Sequence, residues 1–203
     1  MFVIPTRSRP QNIKRLAAAF RETGATTPAI VCLDDDDPMK SAYDALDCPR
    51  NWEFFVSGRA PLSTIYNRVL NYLPDLPWYG FLADDVVPET QGWDKALIER
   101  AGSDGMAVPS GGETTGGCPH FVLGGDLVRS VGWLALPGLA RLYIDTVWGD
   151  LAQARGVYRY IPGVRLAHRH FSSGQAFMDS TYRKKNKVKD RQIYEAWGRE
   201  FSV

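Results

Sequence analysis

Residues 78–88 read Trp78-Tyr79-Gly80-Phe81-Leu82-Ala83-Asp84-Asp85-Val86-Val87-Pro88, and the fold turns on how this stretch is read. Its apolar, aromatic start reads as a buried strand, which ends in two adjacent acids. Acids at the carboxyl end of a parallel strand lie where open α/β sheets bind ligands. Two carboxylates there suit a divalent cation, which takes oxygen ligands and often shares them with substrate phosphates. The competing reading is an acidic surface turn, since Asp is common in turns. The neighbouring sequence has to decide between the two.

Working outward, strands alternate with helices. Residues 2–5 form a short apolar strand. A helix follows over residues 10–22, with Pro10 in its first turn, an apolar face of Ile13, Leu16, Ala17 and Phe20, and Gly24 as its stop. Residues 29–33 and 52–56 are further strands. Pro61 opens a helix that closes before Pro74, the 78–88 stretch is strand four, residues 93–101 are helical, and 106–108 are a strand. This alternation is the pattern of a mostly parallel central sheet flanked by helices. The chain has neither GxGxxG nor GxxxxGK[ST], which argues against a dinucleotide Rossmann domain and a P-loop NTPase.

The second half is less regular. Residues 110–117, SGGETTGG, form a polar loop that is either a connector or a mobile lid on the acceptor side. Residues 121–123 read as a strand, 126–131 as a helix capped by Gly132, and 143–155 as a helix ended by Gly156. Residues 158–161 and 164–168 read as two short strands, and 179–197 as a polar helix.

The 203 residues suffice for one domain with a full core, and 44% hydrophobic with 23% charged residues is ordinary for a globular chain. A formal net charge of +1 removes any global argument for nucleic acid or membrane. Cys32, Cys48 and Cys118 cannot all pair and lack metal-ligand spacing, which fits a reducing compartment. No apolar run approaches the roughly 20 residues of a membrane span, and the first residues lack a signal peptide's pattern. The expected location is the cytoplasm.

Four points carry chemistry. Asp34–Asp37 close strand two, where a carboxylate accepts hydrogen bonds from a ribose or a base; a solvated acidic loop is the alternative. Asp84 and Asp85 are the second. Asp145 is the third, in a helix's first turn, where the dipole alone also favours an acid. The fourth is Leu166-Ala167-His168-Arg169-His170, where strand alternation puts His168 and His170 on one face; a surface pair is the alternative.

In this order the motifs FVIPTRSRP (2–10), LDDDDP (33–38), FLADDVVP (81–88), YIDTVWGDLAQARG (143–156) and LAHRHF (166–171) resemble the GT-A fold glycosyltransferases, and within them the family 2-like proteins of small soluble bacterial or bacteriophage type. The resemblance runs from residue 2 to about residue 182. It implies a single Rossmann-like GT-A domain over residues 1–203. Residues 1–109 would bind the nucleotide sugar, 110–180 would form a smaller, irregular acceptor and catalytic half, and 181–203 a basic C-terminal helix.

The resemblance also implies roles. The loop after strand one contacts the nucleotide, here Pro5, Thr6 and Arg7. The acid after strand two binds base or ribose, here Asp34 or Asp35. The D-x-D-type acids hold Mn²⁺ or Mg²⁺ against the donor diphosphate, here Asp84 and Asp85. Asp145 matches the catalytic base, and His168 or His170 completes the metal shell. Two departures stand out. The stretch reads Ala83-Asp84-Asp85 rather than D-x-D, which leaves open which acid touches the metal. Ile144 stands where the family usually has Glu before the Asp.

Such an enzyme moves a sugar from a nucleotide diphosphate to an acceptor hydroxyl with inversion. Residues 183–191, RKKNKVKDR, hold six bases and one acid. They read either as a solvated helix face or as a phosphate contact through Arg183, Lys184, Lys185 and Lys187. Some phage members of the family glycosylate modified DNA bases, so DNA joins saccharides among the expected acceptors. Two other classes compete. One is a nucleotidyltransferase, which would carry a glycine-rich loop after strand one where TRSRP has no glycine. The other is a non-catalytic sugar-nucleotide or DNA-binding module, in which Asp145 would be dispensable.

Overall fold

The computed structural model describes residues 1–111, 117–168 and 187–201. Its elements run β1 (Phe2–Thr6), α1 (Pro10–Glu22), β2 (Ala29–Asp34), α2 (Lys40–Asp44), β3 (Trp52–Ser57), α3 (Leu62–Tyr72), β4 (Trp78–Phe81), β5 (Val86–Pro88), α4 (Trp93–Ala101), β6 (Met106–Ser110), β7 (Phe121–Gly124), α5 (Gly125–Val131), α6 (Ile144–Ala154), β8 (Tyr158–His168) and α7 (Lys187–Phe201). The strands form one sheet in the order β3-β2-β1-β4-β7-β6-β8-β5. Four contacts are parallel (β3–β2, β2–β1, β1–β4, β6–β8) and three antiparallel (β4–β7, β7–β6, β8–β5). The expected α/β, mostly parallel sheet flanked by helices is therefore present.

Alternation along β1 shows how the core is built. Phe2 and Ile4 face a cluster that contains Ile13, Leu16 and Phe20 of α1 and Trp93 and Leu97 of α4. Val3 faces a second cluster with Val69 of α3 and Val147, Trp148 and Leu151 of α6. Successive strand residues point to opposite faces, so the sheet is covered on both sides. Gly80 fits this packing because its register partner is Phe2. A Cβ on Gly80 would stand 2.1 Å from the Phe2 ring.

Several elements depart from the expectation. Strand four stops at Phe81, the two acids turn the chain, and residues 86–88 form their own strand, β5, at the far edge of the sheet. The two strands expected over 158–168 are one strand with an irregular register between Ile161, opposite Pro109, and Arg165, opposite Ser110. Pro162 and Gly163 make that irregularity natural, since proline and glycine in a strand mark bulges. The short helix α2 was not expected. The helix expected over 179–197 is described only from Lys187 onward. No helix among the described residues is long and apolar enough to cross a membrane.

Candidate active site

Because β2, β1 and β4 are parallel neighbours, their carboxyl ends lie side by side, and the segments after them meet at one edge. Thr6 ends β1 and Asp34 ends β2, while Asp84 and Asp85 follow β4. Asp84 is buried, and both of its oxygens have protein donors. Thr6 Oγ1 donates to Oδ2 at 2.6 Å, and Arg9 Nη1 and Asn12 Nδ2 donate to Oδ1 at 3.1 and 3.4 Å. Burial pushes the Asp84 carboxyl above its ordinary range, and the Arg9 guanidinium opposes that push. The pair is enclosed on both sides, with side-chain exposures of 7% for Arg9 and 6% for Asp84.

The acid cluster after β2 divides its work. Arg7 bridges Asp34 and Asp36, with 2.8 Å from Nη1 to Asp34 Oδ2. Its guanidinium holds the Asp36 carboxyl below the usual range. Asp37 accepts from Ser8 N at 2.7 Å and Ser8 Oγ at 3.1 Å, which holds Ser8 at a left-handed φ of 57°. Asp35 is exposed, and its carboxylate makes no hydrogen bond among the described residues. Pro5 lies within β1, paired with Cys32.

Asp85 meets a different partner. The β5–β8 ladder aligns Val86 with His168, and His168 Nε2 stands 3.1 Å from Asp85 Oδ1. A carboxylate oxygen and an imidazole nitrogen form an N/O donor pair that suits Mn²⁺. Among the described residues no group of three Asp, Glu, His or Cys side chains gathers to hold a metal. Such ions usually keep several waters and take substrate phosphates beside one or two protein carboxylates. Asp85 and His168 would supply two protein donors to such a cation.

His120, which the sequence reading did not single out, lies behind this pair. It is fully buried, its Nδ1 accepts from Ala83 N at 3.4 Å, and its ring meets the His168 ring edge-on at 4.8 Å. Its Nε2 has no hydrogen-bond partner among the described residues. Burial, reinforced by His168, pushes its pKa down to about 3, so the ring is neutral. The only clue in the sequence was a histidine directly before an apolar strand.

Asp145 lies in the first turn of α6, after Tyr143 in a left-handed conformation (φ 68°). Burial raises its pKa above the ordinary range, and His168 is near enough to act on it electrostatically. A side chain on Gly117 would crowd its carboxylate, since a Cβ there would lie 3.1 Å from Oδ2. The turn before α6 is held from the C-terminal helix. Asp190 of α7 is fully buried and accepts from the backbone N–H groups of Ala140, Arg141 and Leu142 at 2.7–2.9 Å. Tyr194 stacks on Tyr143 and donates to Asp150 Oδ2 at 2.7 Å. The one acid of RKKNKVKDR is thus a structural anchor. Lys187 is exposed at the start of α7. His170, Arg183, Lys184 and Lys185 lie outside the described residues, as do 112–116 of the SGGETTGG loop.

No protein-family model and no curated protein matches the chain. Solved structures do match its fold. A mannosyltransferase from Pyrobaculum calidifontis in complex with GDP-Man and Mn²⁺ superposes with a TM-score of 0.64 at 10% identity, over 82% of this chain and 55% of that one. GalNAc-T7 with UDP, GalNAc and Mn²⁺ gives 0.63 at 11% identity, over 82% and 43%. A glucose-1-phosphate thymidylyltransferase from Bacillus anthracis gives 0.54 at 8% identity, over 91% and 99%. The chain spans about half the length of the two glycosyltransferases. Its fold is the GT-A fold, with a Rossmann-like mixed sheet between layers of helices.

Proposed function

We propose that this protein is a divalent-metal-dependent, inverting glycosyltransferase that moves a sugar from a nucleotide-diphosphate sugar to an acceptor hydroxyl. The observation that carries the reading is the Asp85–His168 pair at the carboxyl end of β4, with the half-buried Asp145 within electrostatic reach. The mannosyltransferase and GalNAc-T7, both solved with Mn²⁺ and nucleotide or nucleotide sugar, lend it support.

Each residue then has a task. Asp85 and His168 would hold Mn²⁺ or Mg²⁺, with His170 a further candidate. A cation held there would supply positive charge to offset that growing on the leaving diphosphate. Asp84, saturated by Thr6, Arg9 and Asn12, fixes the loop after β1 against the metal-bearing turn. Arg7 and Asp34 form the wall of the nucleotide site, and Asp35, exposed and without a side-chain partner among the described residues, is the acid that accepts from ribose or base. Asp145 takes the proton of the acceptor hydroxyl as its oxygen attacks the anomeric carbon. The bond from that carbon to the β-phosphate oxygen breaks, the diphosphate leaves, and the configuration inverts. The raised pKa of Asp145 makes it a stronger base than an exposed carboxylate.

A thermal-shift screen of nucleotide sugars with Mn²⁺, followed by assay of sugar transfer and donor hydrolysis, tests this. Stabilisation that needs both metal and sugar nucleotide, with Asp145→Asn binding the donor but not transferring, is the expected result. Pyrophosphate release from a nucleoside triphosphate and a sugar phosphate would favour instead the nucleotidyltransferase class, to which the thymidylyltransferase belongs. The acceptor's class spans saccharides and hydroxyls on modified DNA bases, the latter approached through Arg183, Lys184, Lys185 and Lys187.

A further inference from the structure

We propose that the cavity beside Asp145 is the acceptor subsite, that it takes an uncharged polyhydroxyl compound of the saccharide class, and that Gly149 sets its size. The proposal rests on the reading of Asp145 as the base and narrows the acceptor left open above.

The cavity measures about 260 Å³ and runs along α6. Asp145, Gly149 and Gln153 line it, and their four-residue spacing puts them on one face of the helix. Val147 and Leu151 on the opposite side, and Trp148 and Ala152 on the flank, are buried in the core. The helix therefore turns a polar stripe to the cavity, and the stripe begins at the proposed base. The volume suits a single sugar ring, since pockets for drug-sized ligands run from about 300 to 1,000 Å³.

Gly149 is the unusual member of the stripe. Glycine weakens a helix interior relative to alanine. Here no left-handed φ calls for it. Among the described residues, nothing lies within 4 Å of where its Cβ would stand. Neither conformation nor packing explains the residue. Among the described residues it leaves open space one turn beyond the Asp145 carboxylate.

The walls select by charge. Asp145, Asp150, Gln153, Thr146 and Tyr158 bring carboxylate, amide and hydroxyl groups, and among the described residues no Lys or Arg lines the cavity. Asp150 is fixed by the Tyr194 hydroxyl. Carboxylates and amides accept hydrogen bonds from sugar hydroxyls, whereas a phosphate would meet two like charges. The same argument disfavours a nucleic-acid strand threaded along α6.

The test uses the full chain, wild type and the variants Gly149→Ala and Gly149→Leu, both good helix formers. The probes are methyl glycopyranosides of glucose, galactose and mannose, the corresponding hexose 6-phosphates, and a duplex DNA carrying 5-hydroxymethylcytosine. Binding is read by ligand-observed NMR and stability by thermal melting. The expected result is that a neutral glycoside binds wild type, binds Gly149→Ala at least tenfold more weakly and fails to bind Gly149→Leu. Both variants melt at or above the wild-type temperature. That pairing of higher stability with lost binding separates a subsite from a structural role. No glycoside binding to wild type, unaltered binding to Gly149→Leu, preferred binding of a hexose phosphate or the DNA, or lowered melting in both variants would overturn the proposal. Donor hydrolysis by wild type with Mn²⁺ is measured apart. Its absence would count against the transferase reading, while the glycoside titration still decides the subsite.

Discussion

His168 Nε2 lies 3.1 Å from Asp85 Oδ1 although 83 residues separate the two in the chain. The contact follows from topology, because β8 carries His168 to the register position of Val86, one residue beyond Asp85. The adjacent Asp84 has three protein donors of its own. The two acids should therefore respond differently to substitution. Asp85→Asn or His168→Ala should weaken Mn²⁺ binding at least tenfold, as loss of groups in a metal shell does, with little change in urea midpoint. Asp84→Ala removes the carboxylate that faces the buried Arg9 guanidinium and should cost on the order of 3–5 kcal/mol of stability. Calorimetric Mn²⁺ titration beside urea unfolding checks both, and the reverse pattern would exchange the roles.

His120 supports the pair from behind, and two variants separate its contacts. His120→Phe keeps a ring against His168 but removes the acceptor for Ala83 N, so stability should fall by about 1–3 kcal/mol. His120→Asn keeps an acceptor near Nδ1 but removes the ring, so Mn²⁺ affinity should fall by roughly 10- to 100-fold. Wild-type affinity in both would detach His120 from the metal pair.

As the proposed base, Asp145 would act only when ionised. Activity is therefore present above its folded pKa and lost as pH falls through it. Burial raises that pKa, so the acidic limb of the kcat/KM profile should lie above the ordinary Asp value of about 3.9. Asp145→Asn should lower the transfer rate by roughly 10²- to 10⁴-fold. A limb that survives in that variant would belong to another group.

Asp190 closes three backbone donors in the turn that leads to Asp145. Asp190→Ala should cost on the order of 3 kcal/mol, because charged hydrogen bonds are lost and three part-buried amides lose their acceptor. Hydrogen exchange at residues 140–142 should accelerate well before global unfolding. Protection as in wild type would show that the turn holds without the helix.

The residues that announced the fold were those with local pattern. The apolar face of Ile13, Leu16 and Phe20, Gly24 and Pro61 at helix ends, and the run before Asp84 were legible because neighbours in sequence make those structures. The placing of Asp145 in a helix's first turn was legible for the same reason. The division of labour between Asp84 and Asp85 was not, since it depends on Arg9 and His168, each more than 70 residues away. The three-residue β5 carries too little sequence to reveal a partner near residue 167. Asp190 looked like one acid in a solvated basic run, and only its three backbone contacts mark it as an anchor.

The ladder that joins Val86 to His168 also orders events in time. The β1–β2 and β2–β3 pairings link segments close in sequence, whereas β5–β8 must close a loop of some eighty residues. Contacts of such long separation form late, because the chain entropy is lost before the contact is gained. On dilution from denaturant the far-ultraviolet dichroism should recover first and the capacity to capture Mn²⁺ second, so the chain becomes competent at the last step of its folding.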